Sequence, residues 1–228
     1  MLTLPNYDGK LERYNLSGEP LVARAPTVPL TRTAFAAAHV VSDPLRERNP
    51  WDTRPAVDWD ATLAFRTSLW DQGLGLAEAM DTAQRGMGVD WLTAKELIER
   101  TMIAAKAHPL KPRVACGAGT DHIALDNLKT PEDISAAYAE QAEAIEAAGG
   151  QLILMASRAF PAINATKGTY HKVYRALIDG AKDPVVLHWL GDMFDPALSG
   201  YWCTTVIEEA NDFVLNLISE NPGKVDGI

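Results

Sequence analysis

The feature that most restricts the fold of this chain is a rhythm that begins near residue 30. Short apolar runs alternate with longer segments of helical pattern. The runs are Thr33-Ala-Phe-Ala-Ala-Ala-His-Val-Val, Gly75-Leu-Ala-Glu-Ala-Met, Arg113-Val-Ala-Cys-Gly-Ala-Gly, Gln151-Leu-Ile-Leu-Met-Ala and Pro184-Val-Val-Leu-His-Trp-Leu. Near-continuous apolarity over so few residues suits strands covered on both faces, as in a parallel sheet. Parallel neighbours need a crossover between them, and helices supply it. Thr93-Ala-Lys-Glu96 predicts a capping box that opens a helix through Leu97, Ile98 and Met102. Thr130-Pro131-Glu-Asp predicts another start, with proline at the first helical position and acids at the positive end of the helix dipole. That helix should run to Ala148 and stop at Gly149-Gly150, where glycine supplies the left-handed conformation. Further helices are expected at about 58–71, 169–180 and 204–220.

Strands and helices thus alternate at a spacing of roughly 35 residues, which predicts an α/β fold. No glycine-rich phosphate fingerprint opens any helix, so a closed barrel is favoured over an open doubly wound sheet. The expected architecture is a TIM (β/α)8 barrel, of which this chain supplies about strands 1–5 and the start of strand 6. Its 228 residues fall short of the usual barrel length, about 250. Residues 1–28 differ: two short extended runs flank the turn cluster Asn6-Tyr-Asp-Gly, which reads as an N-terminal β-hairpin, placed to plug the bottom of the barrel. Pro20, Pro26 and Pro29 punctuate the approach to the main unit. The expected division is a hairpin extension over 1–28 and a partial barrel over 29–228.

Composition narrows the function classes. The formal charge of −9 argues against a partner bound through nucleic-acid phosphates. No apolar run is long enough to span a bilayer, and the N-terminus lacks the basic and apolar regions of a signal peptide, so a cytoplasmic protein with no membrane partner is expected. Cys116 and Cys203 fit no zinc or redox spacing, and Cys116 reads as a small core residue. No metal and no cofactor are expected.

If the chain forms a barrel, its chemistry lies at the C-terminal ends of the strands. Those ends carry His39, then Glu78, Asp81 and Gln84, then Asp121 and His122, then Ser157 and Arg158, then His188, Asp192 and Asp195. His188 ends a buried strand and titrates near neutral pH, which suits general acid–base work; a core histidine bonded to a backbone carbonyl is the bland alternative. Asp81 reads as a functional carboxylate or a helix cap. Glu78 sits in an apolar run and must be either functional or paired with an arginine such as Arg32, because a lone buried carboxylate is costly. Arg158 could hold an anion with its planar fork or be an ordinary loop arginine.

Three stretches resemble the dihydrodipicolinate synthase and N-acetylneuraminate lyase superfamily, and more closely a divergent branch of it. Gly73-Leu-Gly-Leu-Ala-Glu-Ala-Met-Asp-Thr-Ala-Gln stands where that family has its carboxylate-binding turn. Arg113-Val-Ala-Cys-Gly-Ala-Gly-Thr-Asp matches its third strand, and Pro184-Val-Val-Leu-His-Trp its fifth. Asn221-Pro-Gly-Lys-Val-Asp-Gly-Ile is similar to the run-up to the sixth strand, whose next residue in the family is the Schiff-base lysine. That lysine is expected just past Ile228, and Lys224 would lie toward the wrong end to replace it. The family's two turn threonines correspond to Asp81 and Thr82, and its proton-relaying tyrosine to His188. Asp81 would repel a substrate carboxylate unless Arg85 neutralises it.

The resemblance implies a class I (Schiff-base) lyase or aldolase acting on a keto acid or a carbohydrate-derived keto compound. His188 and Asp81 are its expected catalytic residues, and Thr82, Gln84, His39, Glu78 and Arg158 its substrate contacts. By the same resemblance the chain forms homo-oligomers, dimers or tetramers. Two other readings stay open: a metal-dependent sugar isomerase or class II aldolase using His39, Glu78, Asp81 and His188, and a non-catalytic small-molecule-binding barrel.

Overall fold

The computed structural model describes residues 2–19, 32–43, 45–46, 51 and 54–228. The expected boundary at residue 28 and Pro20, Pro26 and Pro29 around it lie outside the described residues. Strands β1 (Leu2–Pro5) and β2 (Leu11–Tyr14) pair antiparallel as the expected hairpin. Its turn is built by Asn6, whose side-chain oxygen accepts from the backbone N–H of Asp8 and Lys10 at 3.0 and 2.9 Å. From Thr3 to Tyr14 nearly every residue is exposed, so the hairpin plugs nothing.

The main sheet contains β3 (Phe35–Ala37), β4 (Gly75–Glu78), β5 (Val114–Ala118), β6 (Gln151–Leu154), β7 (Val185–Leu187) and β8 (Val225–Gly227). All neighbours are parallel and follow chain order from β3 to β8. The crossovers carry α1 (Trp59–Asp71), α2 (Trp91–Ala107), α3 (Pro131–Ala148), the short α4 (Ala159–Ala162), α5 (Lys167–Gly180) and α6 (Ile207–Glu220).

The expected TIM (β/α)8 barrel, to which this chain would bring strands 1–5 and the start of strand 6, is corrected by the structure to a curled half-barrel. Among the described residues, six parallel strands form it, and β3 and β8 each pair on one side only. Closure of a small barrel needs about eight strands tilted and staggered around one axis; the other two strands here, β1 and β2, form a separate antiparallel sheet. The curl itself is real. Arg113, just before β5, pairs with Asp226 of β8 and lies 5.4 Å from the Phe35 ring of β3. Gln151 of β6 joins them, donating to Asp226 at 3.1 Å. These residues close the N-terminal end of the concave face with a polar clasp.

Strand alternation divides the apolar residues between two cores. Leu76, Cys116, Leu152, Leu154, Val185 and Leu187 face the helices and join the main core. Ala77, Ala115, Ile153, Met80 and Met155 fill the concave side, with Phe35 and Val186 packed against them. Gly117 is there because a Cβ would lie 3.0 Å from the Ala79 carbonyl oxygen and 2.6 Å from the Met155 sulfur.

Helix starts show how local signals compete. Thr130 caps α3 and Asp133 reaches back to it, completing a capping box, and Gly149 ends the helix at φ 89°. The box expected at Thr93 does not form. The helix begins earlier, at Asp90, whose carboxylate accepts from the Thr93 N–H at 2.8 Å. Thr93 then lies inside α2, and Glu96 turns outward to Arg54 and Arg100. Thr130→Ala is expected to lower unfolding free energy by about 1 kcal/mol, the usual loss for a removed N-cap. Urea denaturation followed by far-UV circular dichroism measures this, and an unchanged midpoint would count against the capping role.

Candidate functional site

The C-terminal ends of β3, β4 and β7 bring four of the sequence-expected residues together. Past the β3–β4 ladder, which ends at Ala37 and Ala77, the chain needs new partners for its backbone polar groups. A buried ion pair provides them. Arg66 occupies the inward stripe of α1 with Thr62 and Trp70, at four-residue intervals. Its Nε and Nη2 donate to the Glu78 carboxylate at 2.7 and 2.8 Å, with both side chains fully buried. Arg66 Nη1 donates to the carbonyls of His39 and Thr62 at 2.7 and 3.1 Å. Glu78 also accepts from the Thr101 hydroxyl at 2.6 Å and from the Ala79 N–H at 2.9 Å. Glu78 is therefore a structural carboxylate, not a substrate contact, and its partner is Arg66 rather than Arg32.

Ala79 has φ 55°, a left-handed conformation that an L-residue adopts at a cost of about 1–2 kcal/mol. Its N–H is held by Glu78, and its carbonyl accepts from Arg85 Nη1 at 3.3 Å. The bend leads into a single 3₁₀ turn, Asp81–Ala83. There Thr82 presents its carbonyl to His39 Nδ1 at 3.1 Å, and Asp81 Oδ2 stands 4.0 Å from His188 Nε2. His188 follows β7 directly, and its backbone N–H donates to Leu154 at 3.0 Å. Asp81 and His188 lie three strands apart in the sheet, so the curl is what makes them neighbours.

His188 is the most distinctive group at this end. Its side chain is 24% exposed and that of Asp81 is 42% exposed. Burial pushes the imidazole below its ordinary value of 6.5, and the nearby Asp81 carboxylate opposes this only in part. Nδ1 is buried without a hydrogen-bond partner among the described residues, so a proton carried on it has no acceptor there. The outward nitrogen, Nε2, is the one a ligand can meet. A water or hydroxyl about 2.8 Å from both Nε2 and the Asp81 oxygen would subtend an angle of about 90° at their separation, an acceptable bridge.

The other expected residues are placed elsewhere. Gln84 ends the 3₁₀ turn in a left-handed conformation and is exposed. Arg158 is exposed and pairs with Asp195 at 2.6 Å, tying the loops after β6 and β7. Arg85 does not neutralise Asp81. It forks onto Asp121 at 3.0 and 2.8 Å and also donates to Gly117 and Gln141. Burial raises the cost of a charge on Asp121, but Arg85 outweighs it and holds this carboxyl below the usual range. Gln141 passes the network to His122 at 2.8 Å, and His122 reaches Glu140 at 3.1 Å. A recess of about 710 Å³ opens beside Trp91, His122 and Glu140, away from the Asp81–His188 pair. A smaller opening, about 440 Å³, is lined by His188 with Trp189, Asn211 and Ile218.

Among the described residues no three His, Cys, Asp or Glu side chains are grouped to hold a metal ion, so the metal-dependent reading lacks a donor set there. Cys116 is fully buried, and burial pushes its thiol well above the ordinary value, which suits a core residue rather than a nucleophile. No described helix is long and apolar enough to cross a membrane. Arg66 and Gln141 went unnoticed in the sequence. The signal was present for Arg66: it is the only charged residue in the stripe Thr62, Arg66, Trp70, which faces the core.

A family model described as a protein of unknown function (DUF993) matches residues 2–228. The chain belongs to that family. No curated protein matches it. Neither finding carries an activity, so function rests on the geometry just described.

Two outcomes follow from these contacts. Arg66→Met leaves Glu78 buried without its counter-charge and is expected to cost about 3–5 kcal/mol of stability, read from urea unfolding; a loss below 1 kcal/mol would show that Glu78 finds another partner. The lowered His188 value means that the unfolded imidazole binds a proton which the folded one refuses. Stability therefore falls as pH drops from about 6.5 through the lower folded value. Urea midpoints at about pH 7.5 and about pH 5 should show less loss in His188→Gln than in the wild type, and equal losses would mean that His188 is not the group responsible.

Proposed function

We propose that the chain is a lyase or aldolase-like enzyme that moves a proton beside the carbonyl of a small keto compound. His188 and Asp81 are its proton-handling pair. The observation that carries this reading is their approach to 4.0 Å from the ends of strands three apart. Parallel α/β sheets build their sites at this end, where loops from several strands converge.

The chemistry follows from the environment. Burial keeps His188 neutral near pH 7, so Nε2 can accept a proton from a substrate C–H or O–H. The imidazolium that results is stabilised by the Asp81 carboxylate, which at 4.0 Å is close enough for a charge–charge attraction in a partly shielded site. The imidazolium then returns the proton to the product. His39, anchored to Thr82, adds a second imidazole to the same rim and suits a substrate hydroxyl or carbonyl.

The resemblance favours activation of the carbonyl as an imine. Lys224 does not serve in that role: its ammonium donates to the carbonyls of Asp179 and Ala181 at 3.5 and 3.0 Å, at the N-terminal end of the sheet. The free thiols of Cys116 and Cys203 support a cytoplasmic setting, where thiols stay reduced.

The test is solvent-deuterium exchange at carbon next to a carbonyl, followed by proton NMR, with pyruvate, hydroxypyruvate and dihydroxyacetone as probes. The wild-type protein should speed exchange of at least one probe, and His188→Ala should slow it by about 10²–10⁴-fold, the usual contribution of a general acid–base. Borohydride added during turnover reports on the imine: a mass increase equal to the reduced probe supports it. Folded wild-type protein that exchanges none of the probes above the buffer rate would overturn the proposal.

A further inference from the structure

Asp81 reaches His188 only because the chain turns sharply at Ala79, and both backbone polar groups of Ala79 end on arginine–carboxylate ion pairs, one fully buried and one partly exposed on its carboxylate side. Its N–H donates to Glu78, which Arg66 grips with two nitrogens. Its carbonyl accepts from Arg85, which grips Asp121 with two nitrogens. Ala79 is itself fully buried and left-handed. A strained residue persists only where its surroundings over-determine it. Here the surroundings are two guanidinium–carboxylate forks, one from the α1 side and one from the β5 side.

We propose that Arg66–Glu78 and Arg85–Asp121 are positioning pairs which clamp the Ala79 bend and thereby set the spacing between Asp81 and His188. This rests on the proton-transfer reading of that site but concerns groups that touch no substrate. Four links make the chain of cause physical. Glu78 is bonded directly to the bend, and Arg66 also holds the His39 carbonyl, so the same guanidinium fixes both loops that meet at Thr82. Arg85 also donates to Gly117, which ties the bend to β5. Thr101 adds a third donor to Glu78 from α2. The turn Asp81–Ala83 then begins two residues beyond the clamped bend, too close to it to move independently.

A purely structural role and a positioning role differ in what they do to His188. In the wild type the Asp81 charge partly offsets the effect of burial on the imidazole. Asp81→Asn should remove that offset and lower the His188 titration midpoint, read by ¹H–¹³C NMR of protein labelled at histidine. If the clamps set the spacing, Glu78→Gln should lower the same midpoint in the same direction while Asp81 is still present. Adding Glu78→Gln to Asp81→Asn should then produce no further shift. Thr101→Val removes one hydrogen bond on Glu78 and leaves every charge in place, so it provides the test if Glu78→Gln does not fold; a smaller downward shift is expected. Arg85→Lys, which breaks the fork on the other side, should act likewise.

A cooperative melt confirms that each variant is folded before titration. His188 midpoints identical to the wild type in folded Thr101→Val and in folded Arg85→Lys, with Asp81→Asn shifted, would overturn the proposal. Because the readout is a titration, it stands or falls separately from any exchange activity: a protein with clamps but no catalysis would show the shifts and fail the deuterium test.

Discussion

The ion pair between Arg66 and Glu78 is the contact on which the upper end of the molecule depends. Two charges withdrawn fully from water are costly, and such a pair is tolerable only when its geometry is good and its remaining donors and acceptors are used. Here they are. The guanidinium spends its nitrogens on both carboxylate oxygens and on two carbonyls, and the carboxylate takes a hydroxyl and a backbone N–H besides. The pair does at the splayed ends of β3 and β4 what ladder hydrogen bonds do lower down. It lets two neighbouring strands part without leaving backbone groups unsatisfied, and the opening that results holds His39, Thr82 and Asp81.

The rest of the half-barrel is arranged to keep that opening shallow. Ala77, Ala115 and Gly117 are small, so the strands can curl, and Met80 and Met155 fill what space remains on the concave side. Methionine suits this place because an unbranched side chain adapts to an irregular gap. The floor beneath Asp81 and His188 is therefore apolar, while the opposite end is held by Arg113, Gln151 and Asp226. Burial is also what depresses the His188 value.

Some of the site could be read directly. His188 and Asp81 were legible because each sits where a short apolar run gives way to polar residues, and in a parallel sheet that transition marks the C-terminal end of a strand. Glu78 was legible as a problem, since a carboxylate inside Gly75-Leu-Ala-Glu-Ala-Met had to find a cation. Its partner was not, because Arg66 is joined to it by packing of α1 on β4 rather than by any spacing. Closeness along the chain suggests Arg85 as a neutraliser of Asp81, whereas the fold points it to Asp121, thirty-six residues away. Thr93 carried a sound capping signal that lost to Asp90, because the helix could extend one turn further toward its N-terminus and bury Thr93 and Ala94 in doing so.

The sequence by itself determined the alternation of strands and helices, the exposed hairpin turn at Asn6, and the strand ends beyond which His39, Asp81 and His188 stand. Those follow from periodicity, glycine and capping chemistry, which act over a few residues. Tertiary structure decided the rest. An open six-stranded half-barrel in place of a closed barrel, the pairing of buried charges, and the meeting of Asp81 with His188 all depend on curvature accumulated across several strands. Curvature of that kind comes from how side chains on one face fit against one another, and no local pattern records that fit.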